Sequence, residues 1–417
     1  MNLGIETLPP SCDVLVIGAG PAGCAAAITL ARAGLDVVLV DQHAFPRDKV
    51  CGDGLIPDAH RALRRLGVLD AVMAQARASG FVGCVGPRGG RVDVPGVLAV
   101  LPRRQLDEIV CRAAVAAGAR MFAPLRFAAP LEEGPEGATR VVGARLQHAD
   151  ATREIRARWL VLASGAVPQA LLAAGMAQRH TPSGVALRGY VRNDAMVGRI
   201  TALEIVWHRA LTPGYGWIFP CRDGVFNIGV GIADSHTERQ GRRLTKRAPN
   251  LRQVMDDFRQ VYAPARELMQ GGTPLGPMKG APLRCTLEGA RYTRPGLLVA
   301  GEAAGSTYSF TGEGIGKALE TGIHAAEAVL AGGTAPGADG LVRADYEARL
   351  LALKPRFDLY QRANVVNRHP WLADLLIWRA NRSPRIVRRM SGVLDETSNP
   401  GNLVSVKGIA RLFLDRR

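Results

Sequence analysis

Residues 13–41 read DVLVIGAGPAGCAAAITLARAGLDVVLVD, and this stretch decides the fold class. An apolar run over 14–17 ends in a glycine turn, which is followed by a run of small residues over 22–33 that favours a helix. A second apolar run covers 37–40 and ends at Asp41. Strand, glycine turn, helix, strand and acidic tip, in this order and spacing, are typical of a nucleotide-binding α/β unit.

Each glycine of the turn has a distinct structural role in such a unit. Gly18 permits a tight turn, Gly20 leaves the backbone free to approach a pyrophosphate, and Gly23 lets the helix lie close to the strand. The N-terminus of the helix offers free N–H groups to phosphates, and Asp41 can accept hydrogen bonds from a ribose. The motif fits FAD or NAD. Its position near the start of a long chain favours FAD, with a distant segment completing the site.

The composition predicts a globular protein of two or three domains. The chain has 417 residues, 47% of them hydrophobic, which is enough for a large core. Its seven cysteines are scattered without CxxC or Cys/His spacing, so we expect neither a disulfide framework nor a metal site. The first residues do not have the pattern of a signal peptide, and no run of about 18 apolar residues occurs. We therefore expect a cytoplasmic protein.

The formal net charge of +16 is concentrated toward the C-terminal end. Residues 341–417 hold fifteen Lys and Arg against seven Asp and Glu, an excess of eight, which is half of the total. Two stretches there, 371–390 and 403–417, mix basic with apolar residues, as in segments that contact an anionic membrane surface. The alternatives are a peripheral association with the inner face of the membrane and an ordinary arginine-rich surface. No motif that reads nucleic acid occurs, so nucleic acid is not an expected partner.

The rest of the chain predicts an α/β protein with a second, antiparallel sheet. Hydrophobic periodicity favours helices over 60–76 and 102–120, and alternation favours a β-hairpin over 140–163. Residues 185–232 are rich in strand patterns, and the chain returns to the nucleotide-binding sheet over 296–330. The predicted parts are a Rossmann-like FAD-binding domain over 10–80, 101–180 and 280–335, a substrate-binding β-sheet domain over 81–100 and 181–279, and a basic helical C-terminal region over 336–417.

A second glycine-rich segment predicts the other half of the cofactor site. The run over 297–300 has a strand pattern that leads to an acid, Glu302, and TGEGIG over 311–316 predicts a turn that opens a helix. An acid at a strand tip can bind ribityl or ribose hydroxyls, and a helix N-terminus can stabilise negative charge on a reduced flavin ring. Lys317, in the first turn of this helix, is predicted to face the surface or a phosphate.

Together these segments resemble the geranylgeranyl reductase family of FAD-dependent oxidoreductases, within the aromatic-hydroxylase-like flavoproteins of the para-hydroxybenzoate hydroxylase fold. The resemblance is carried, in the family's order, by GAGPAG at 18–23, FPRDKVCGDGL at 45–55, RRQLD at 103–107, PGYGWIFP at 213–220, FNIGVGI at 226–232 and GEAAGSTYSFTGEGI at 301–315. The segment DKVCGDGL is similar to members that reduce a double bond in the prenyl tail of a quinone or lipid. The implied fold is a Rossmann-like domain with an antiparallel substrate sheet and a helical C-terminal region.

The resemblance implies a role for each matched residue. For the cofactor it implies Gly18, Gly20, Gly23 and Asp41 at the ADP half of FAD, Arg103 at the diphosphate, Glu302 at the ribityl chain, and Gly52, Gly165, Gly312, Gly314 and Ile315 beside the flavin. For the reaction it implies Cys51 and Asp53 on the active-site face, as candidates to position or protonate the substrate, and Tyr215 and Trp217 as a wall of the substrate cavity. Glu302 departs from the family's usual aspartate but keeps its charge.

The implied activity is reduction of C=C bonds in a prenyl, isoprenoid or polyene lipid by hydride transfer from N5 of reduced FAD. The alternatives are an FAD-dependent monooxygenase that hydroxylates an aromatic ring in a natural-product or cofactor pathway, and a flavin-dependent halogenase, since one fold hosts all three. A non-enzymatic, FAD-stabilised scaffold is disfavoured by the number of flavin-facing motifs. Many relatives carry an aspartate that helps NAD(P)H reduce the flavin where this chain has Ser164. The electron donor is therefore either NAD(P)H or a separate reductase protein.

Overall fold

The computed structural model describes residues 2–135, 137–233, 250–335 and 337–401, and these form two sheets with helices around them. The strands are β1 Ser11–Ile17, β2 Val37–Val40, β3 Gly54–Leu55, β4 Arg77–Val85, β5 Arg91–Val100, β6 Arg120–Phe122, β7 Arg126–Glu133, β8 Arg140–His148, β9 Ala151–Leu162, β10 Gly184–Arg192, β11 Leu203–Val206, β12 Gly214–Pro220, β13 Val225–Ala233, β14 Thr273–Pro274, β15 Lys279–Leu283, β16 Thr293–Arg294 and β17 Leu297–Val299. The helices are α1 Pro21–Arg32, α2 Pro57–Arg65, α3 Leu69–Gln75, α4 Arg103–Ala116, α5 Gln169–Ala173, α6 Leu251–Val261, α7 Ala263–Gln270, α8 Ile315–Gly332, α9 Asp339–Ala363, α10 Val365–Arg368, α11 Trp371–Ala380 and α12 Pro384–Leu394.

The first sheet has the parallel strand order of a nucleotide-binding unit. Its order is β16-β17-β9-β1-β2-β6, and β17, β9, β1, β2 and β6 run parallel. Side chains of β1 alternate between two cores, because successive residues of a strand point to opposite faces. Val14 and Val16 pack toward α1 and α8, whereas Leu15 and Ile17 pack toward β7 and β8. Both faces of the central strands are thus covered, as parallel sheets require.

The second sheet is mostly antiparallel and borders the first. Its order is β14-β10-β13-β12-β11-β4-β5-β3, with β15 also paired to β10. The C-terminal helices α11 and α12 lie against β4 and β5 of this sheet, and their apolar residues share one core with those strands. The second sheet therefore lies between the nucleotide-binding unit and the C-terminal helices, which gives it a partly enclosed apolar face.

Most of the predicted elements are confirmed. β1, α1 and β2 occupy 11–40, β8 and β9 form the predicted hairpin with His148 paired to Ala151, and β10 to β13 form an antiparallel sheet. The single helix predicted over 60–76 is wrong: α2 ends at Arg65 and α3 begins at Leu69. The break comes at Gly67, whose φ of +68° is a left-handed conformation that ends a helix. α2 also begins earlier than predicted, at Pro57.

The C-terminal region is helical over the part that the structure describes. α9 to α12 extend from Asp339 to Leu394, while the basic stretch 403–417 lies outside the described residues. Among the described helices, none is both long enough and apolar enough to cross a bilayer. The exact boundaries of the three parts of the chain stay a prediction.

Candidate cofactor and substrate site

The glycine turn after β1 leaves an open cradle next to two arginines. A Cβ at Gly18 would lie 2.3 Å from the Ala163 carbonyl oxygen, and a Cβ at Gly23 would lie 1.8 Å from the Gly18 carbonyl oxygen. Both positions are therefore closed to any side chain by backbone atoms. A Cβ at Gly20 would meet only the guanidinium groups of Arg47 and Arg103, at 3.7 and 3.8 Å. The open space at Gly20 thus lies between a helix N-terminus and two cations, which is the setting a diphosphate needs.

Two carboxylates, Asp41 and Asp107, fix the two arginines at this cradle. Arg47 bridges Asp41 and Asp107 with N–O distances of 3.1 and 3.0 Å. Arg103 binds the same Asp107 through two bonds of 2.6 and 2.8 Å. Asp41 also accepts a bond of 2.9 Å from the backbone N–H of Ala19 in the glycine turn. Sequence reasoning assigned Asp41 and Arg103 but missed Arg47 and Asp107, although both lie within the quoted motifs.

The second glycine segment reaches the cradle from the other side. Glu302, just after β17, pairs with Lys49 at 3.2 Å and accepts a bond of 3.4 Å from the Thr307 hydroxyl. A Cβ at Gly301 would lie 2.6 Å from the Ala22 side chain, so α1 and this segment touch. Ser164 lines the same space, and its Oγ is buried without a hydrogen-bond partner among the described residues. An acid at a strand tip and an unsatisfied hydroxyl fit the ribityl hydroxyls of a flavin nucleotide.

The loop before α8 is pressed against the second sheet. A Cβ at Gly312, where φ is +69°, would lie 2.7 Å from the Tyr215 hydroxyl oxygen. That hydroxyl donates a hydrogen bond to the Thr311 carbonyl oxygen. A Cβ at Gly314 would lie 2.5 Å from the Thr307 hydroxyl oxygen. Gly312 and Gly314 are therefore required by close packing, and Tyr215 is hydrogen-bonded to the loop that is predicted to lie at the flavin ring.

Asp53 lies fully buried in a polar network. Its carboxylate accepts hydrogen bonds from the Tyr190 hydroxyl, from Asn227 Nδ2 at 2.7 Å and from the Arg103 backbone N–H at 3.2 Å. Burial raises the pKa of Asp53 to about 6, although these donors oppose the shift. Three donors around one enclosed carboxylate suit a positioning residue better than an acid that touches substrate. The role of Asp53 in protonation stays a prediction.

The Asp53 network positions the candidate wall residues. Asn227 also donates to the Cys51 carbonyl oxygen at 2.8 Å and accepts from Trp217 Nε1 at 2.9 Å. The Cys51 sulfur accepts the Asp53 backbone N–H at 3.4 Å and remains partly exposed to the cavity. A Cβ at Gly52 would meet the Phe219 ring at 3.2 Å. Cys51, Gly52, Asp53 and Trp217 are thus parts of one connected group.

Five aromatic rings form a continuous row along the second sheet. Neighbouring centroids are 6.2 to 6.4 Å apart from Phe310 through Trp207, Tyr215 and Trp217 to Phe219. The sequence analysis assigned Tyr215 and Trp217, and it missed the other three. Phe219 was within the quoted motif, whereas Trp207 lies outside it and no local signal marked it. The row presents flat apolar surfaces, which suit an unsaturated chain or ring.

One cavity of about 720 Å³ joins the cradle to this aromatic row. All the assigned site residues line it except Gly23, whose role is close packing of α1. Apolar residues of the C-terminal helices also line this cavity, and the sequence analysis did not assign them: Ala373, Leu376, Ile377, Met390, Val393 and Leu394. A polar end and an apolar end within one cavity fit a nucleotide cofactor followed by an apolar substrate.

The structure places Lys317 in a different environment from the one predicted. It is buried rather than exposed, and its ammonium group lies 2.8 Å from Glu396 and 2.5 Å from Glu320. The lysine thus faces carboxylates of the C-terminal region and of its own helix, because α8 is covered by α2 and by the segment after α12. A surface or phosphate-facing position is excluded.

Comparisons with known proteins identify the family of the chain. The family model described as an FAD-binding domain matches residues 11–253. Menaquinone reductase of Mycolicibacterium smegmatis is 34% identical over 334 residues, which cover 77% of each chain. Digeranylgeranylglycerophospholipid reductase 1 of Methanopyrus kandleri is 30% identical over 327 residues, covering 76% of this chain and 80% of that one.

The same fold occurs in a solved structure. A geranylgeranyl bacteriochlorophyll reductase-like protein from Thermoplasma acidophilum superimposes with a TM-score of 0.71 at 21% identity, over 97% of this chain and 96% of the other. The predicted fold class and FAD as cofactor are confirmed. Given the FAD-binding domain match and the reductases that are 34% and 30% identical over about three quarters of it, the chain belongs to the geranylgeranyl reductase family of FAD-dependent oxidoreductases.

Proposed function

We propose that this enzyme saturates C=C bonds of a prenyl, isoprenoid or polyene lipid. The observation that carries the proposal is the single cavity, whose FAD end opens directly into an apolar chamber lined by aromatic rings and by the C-terminal helices. Such a chamber can bury a hydrocarbon chain at about 25 cal/mol per Å² of apolar surface, without unpaired polar groups to accommodate. The names of the menaquinone and digeranylgeranylglycerophospholipid reductases support a lipid substrate.

The residues of the chain supply position and a dry environment for this chemistry. FAD in its reduced form provides two electrons and one hydrogen to a double bond, so the chain has to orient the bond and supply one proton. Tyr215 is fixed by the Thr311 carbonyl oxygen and Trp217 by Asn227, so both rings hold defined orientations at the chamber wall. Leu376 and Ile377 of α11 also line the cavity and add apolar surface to the chamber.

Product analysis tests the proposal. Purified holoenzyme is reduced chemically and given membrane lipids of the host, with and without oxygen, and the products are read by mass spectrometry. A prenyl lipid that gains two hydrogens without oxygen would support the proposal. A product that gains an oxygen atom only in the aerobic arm would establish the monooxygenase instead, and halogen incorporation would establish the halogenase.

We further propose that α11 brings the chamber to an anionic membrane surface. Trp371 and Trp378 are seven residues apart on one face of the helix and are 58% and 43% exposed. The opposite face of α11 lines the chamber. Exposed arginines follow, and the Arg382 guanidinium lies 4.9 Å from the Trp378 ring centroid. Exposed indoles beside arginines suit the headgroup region of an anionic bilayer.

A double variant, Trp371→Ala with Trp378→Ala, is expected to lose vesicle binding. Burial of a large apolar side chain contributes about 1.5–3 kcal/mol, so removal of two should weaken partitioning by about 10²-fold or more. The measurement is co-sedimentation with vesicles that contain an anionic lipid, at low and high salt. Leu341→Ala is the control, since it removes an apolar side chain that is 70% exposed on α9. Equal sedimentation of the two variants would leave an ordinary arginine-rich surface as the explanation of the charge.

A further inference from the structure

Besides Glu320 of the same helix, three carboxyl groups converge around the buried Lys317 at the start of α8. Lys317 Nζ lies 2.8 Å from Glu396 Oε1 and 3.9 Å from Asp58 Oδ2, and Glu313 lies in the loop just before the helix. A Cβ at Gly316 would overlap the Asp58 carboxyl group at 2.2 Å, so the Asp58 side chain of α2 packs directly against the first turn of α8. None of these acids was assigned a role by the sequence.

Glu396 pairs with three cations. Besides Lys317, it pairs with Arg61 at 2.9 Å and Arg356 at 2.7 Å, and it accepts the Tyr308 hydroxyl at 2.7 Å. These partners lower the pKa of Glu396 in spite of its burial, so this carboxylate is ionised.

Glu313 has a different environment from Glu396. Within the described part of the chain, its side chain makes no ion pair, and its Oε2 accepts one hydrogen bond of 3.2 Å, from the Thr311 hydroxyl. Glu313 is half-buried at the cavity wall, and a carboxyl group that lacks a cation there and faces other carboxylates keeps its proton more readily, because charging it would cost both desolvation and repulsion. Burial first, and then the charge of Asp58, raise the pKa of Glu313 to about 8. The charged or titratable groups that face it are Asp58 of α2, Lys317 of α8, Tyr215 of β12, Tyr360 of α9 and Glu396 after α12.

Glu313 lies where the cofactor part of the cavity meets the aromatic row, so its carboxyl proton is held at that junction. The residue lies between Gly312 and Gly314 and lines the cavity. Its loop is bonded to Tyr215 of the aromatic row. Asp53 by contrast is enclosed by three donors, and burial raises the pKa of Tyr215, the only ring of the row with a hydroxyl group, so that it is not an acid at neutral pH.

We propose that the Glu313 carboxyl group donates the proton that completes saturation of the substrate double bond, a role that rests on the proposed function. The O–H bond of the carboxyl group breaks and a C–H bond forms on the carbon that does not receive hydrogen from the reduced cofactor. Both electrons and the other hydrogen come from the reduced FAD, so the product gains two hydrogens in total. The Glu313 carboxylate then recovers its proton from water.

The test compares Glu313→Gln with wild-type holoenzyme in a single turnover. Enzyme reduced without oxygen is mixed with a geranylgeranyl lipid that carries no quinone ring, and flavin reoxidation is followed by absorbance. Glutamine keeps the size of the side chain but cannot donate a proton in this way, so reoxidation should slow about 10²- to 10⁴-fold, the usual contribution of a general acid. Glu313→Asp, which retains the acid, should recover part of the rate. Glu288→Gln is the matched control, since this carboxylate is partly exposed, outside the cavity and paired with Lys354.

Two further readouts separate proton donation from a structural role. Infrared spectra at neutral pH should show the C=O stretch of a protonated carboxyl group in wild type, and this band should decrease in Glu313→Gln at equal flavin content. In wild type the reoxidation rate should fall as pH rises through about 8, because the acid is then ionised. Asp58→Asn removes the like charge, which lowers the pKa of Glu313, so the fall should move to lower pH.

The outcomes separate this proposal from the proposed function. Three results would overturn the donor role and leave lipid reduction standing. They are a reoxidation rate of Glu313→Gln within a few fold of wild type, an unchanged infrared band, and a pH profile of the rate that does not shift in Asp58→Asn. A wild-type enzyme that no prenyl lipid reoxidises would overturn the proposed function, and the donor role with it.

Discussion

The Gly20→Val variant is expected to fold and to purify without FAD. Gly20 has φ −80° and ψ −173°, an extended conformation that valine adopts readily, and no protein atom lies within 3.7 Å of its Cβ position. The added side chain would instead fill the space between α1, Arg47 and Arg103, which a diphosphate needs. Each lost hydrogen bond to a charged group costs about 1.5–3 kcal/mol, so loss of two would weaken FAD binding by about 10²- to 10⁴-fold.

Two glycine variants give this prediction its controls. Gly80→Val adds the same side chain to β4, where nothing lies within 4 Å of the Cβ position, and it should retain FAD. Gly23→Ala adds only a methyl group, but 1.8 Å from a backbone oxygen, and it should reduce the melting temperature as well as the flavin content. Flavin absorbance after gel filtration and thermal unfolding by circular dichroism measure both effects. A fully yellow Gly20→Val protein would refute the assignment of the diphosphate position.

The cofactor cradle could be predicted because its signals are local in sequence. Residues 13–41 contain strand, turn, helix and strand together, so Gly18, Gly20, Gly23 and Asp41 were identified without tertiary information. The prediction of a single helix over 60–76 was wrong because it also used only signals that are local in sequence. Its hydrophobic period continued through Gly67, and only the left-handed conformation of that glycine shows the break.

The chamber and the acids beside it could not be predicted, because they form through contacts between segments that are distant in sequence. Asp58, Glu313 and Glu396 meet although more than 300 residues separate the first from the last, and each alone reads as an ordinary surface carboxylate. Lys317 was misplaced because nothing in its own helix showed that α2 and the segment after α12 would cover it. Leu376 and Ile377 of α11 followed the pattern of a membrane-contacting segment, and only the packing of α11 against β4 shows that they line the cavity.

The Gly229→Ala variant is expected to keep FAD and to lose most lipid reduction. Gly229 lies opposite Trp217 in the β12–β13 pair, and a Cβ there would lie 2.1 Å from Cζ2 of the indole ring. The ring would have to swing away, which breaks its bond of 2.9 Å to Asn227. Overpacking of this kind costs about 1–3 kcal/mol, and a wall misplaced by about 1 Å can slow a reaction by about 10²-fold. The measurement is the rate at which a geranylgeranyl lipid reoxidises the reduced flavin.

Gly231→Ala is the matched control for this prediction. It makes the same change two residues further along β13, on the same face, where the nearest atom of Trp217 is 3.6 Å from the Cβ position. It should therefore react at close to the wild-type rate. A smaller ring should relieve the clash, so adding Trp217→Phe to Gly229→Ala should raise the rate above that of Gly229→Ala alone. If instead Trp217→Phe lowers the rate equally in both backgrounds, the two residues act independently, and the indole orientation imposed by Gly229 does not control the reaction.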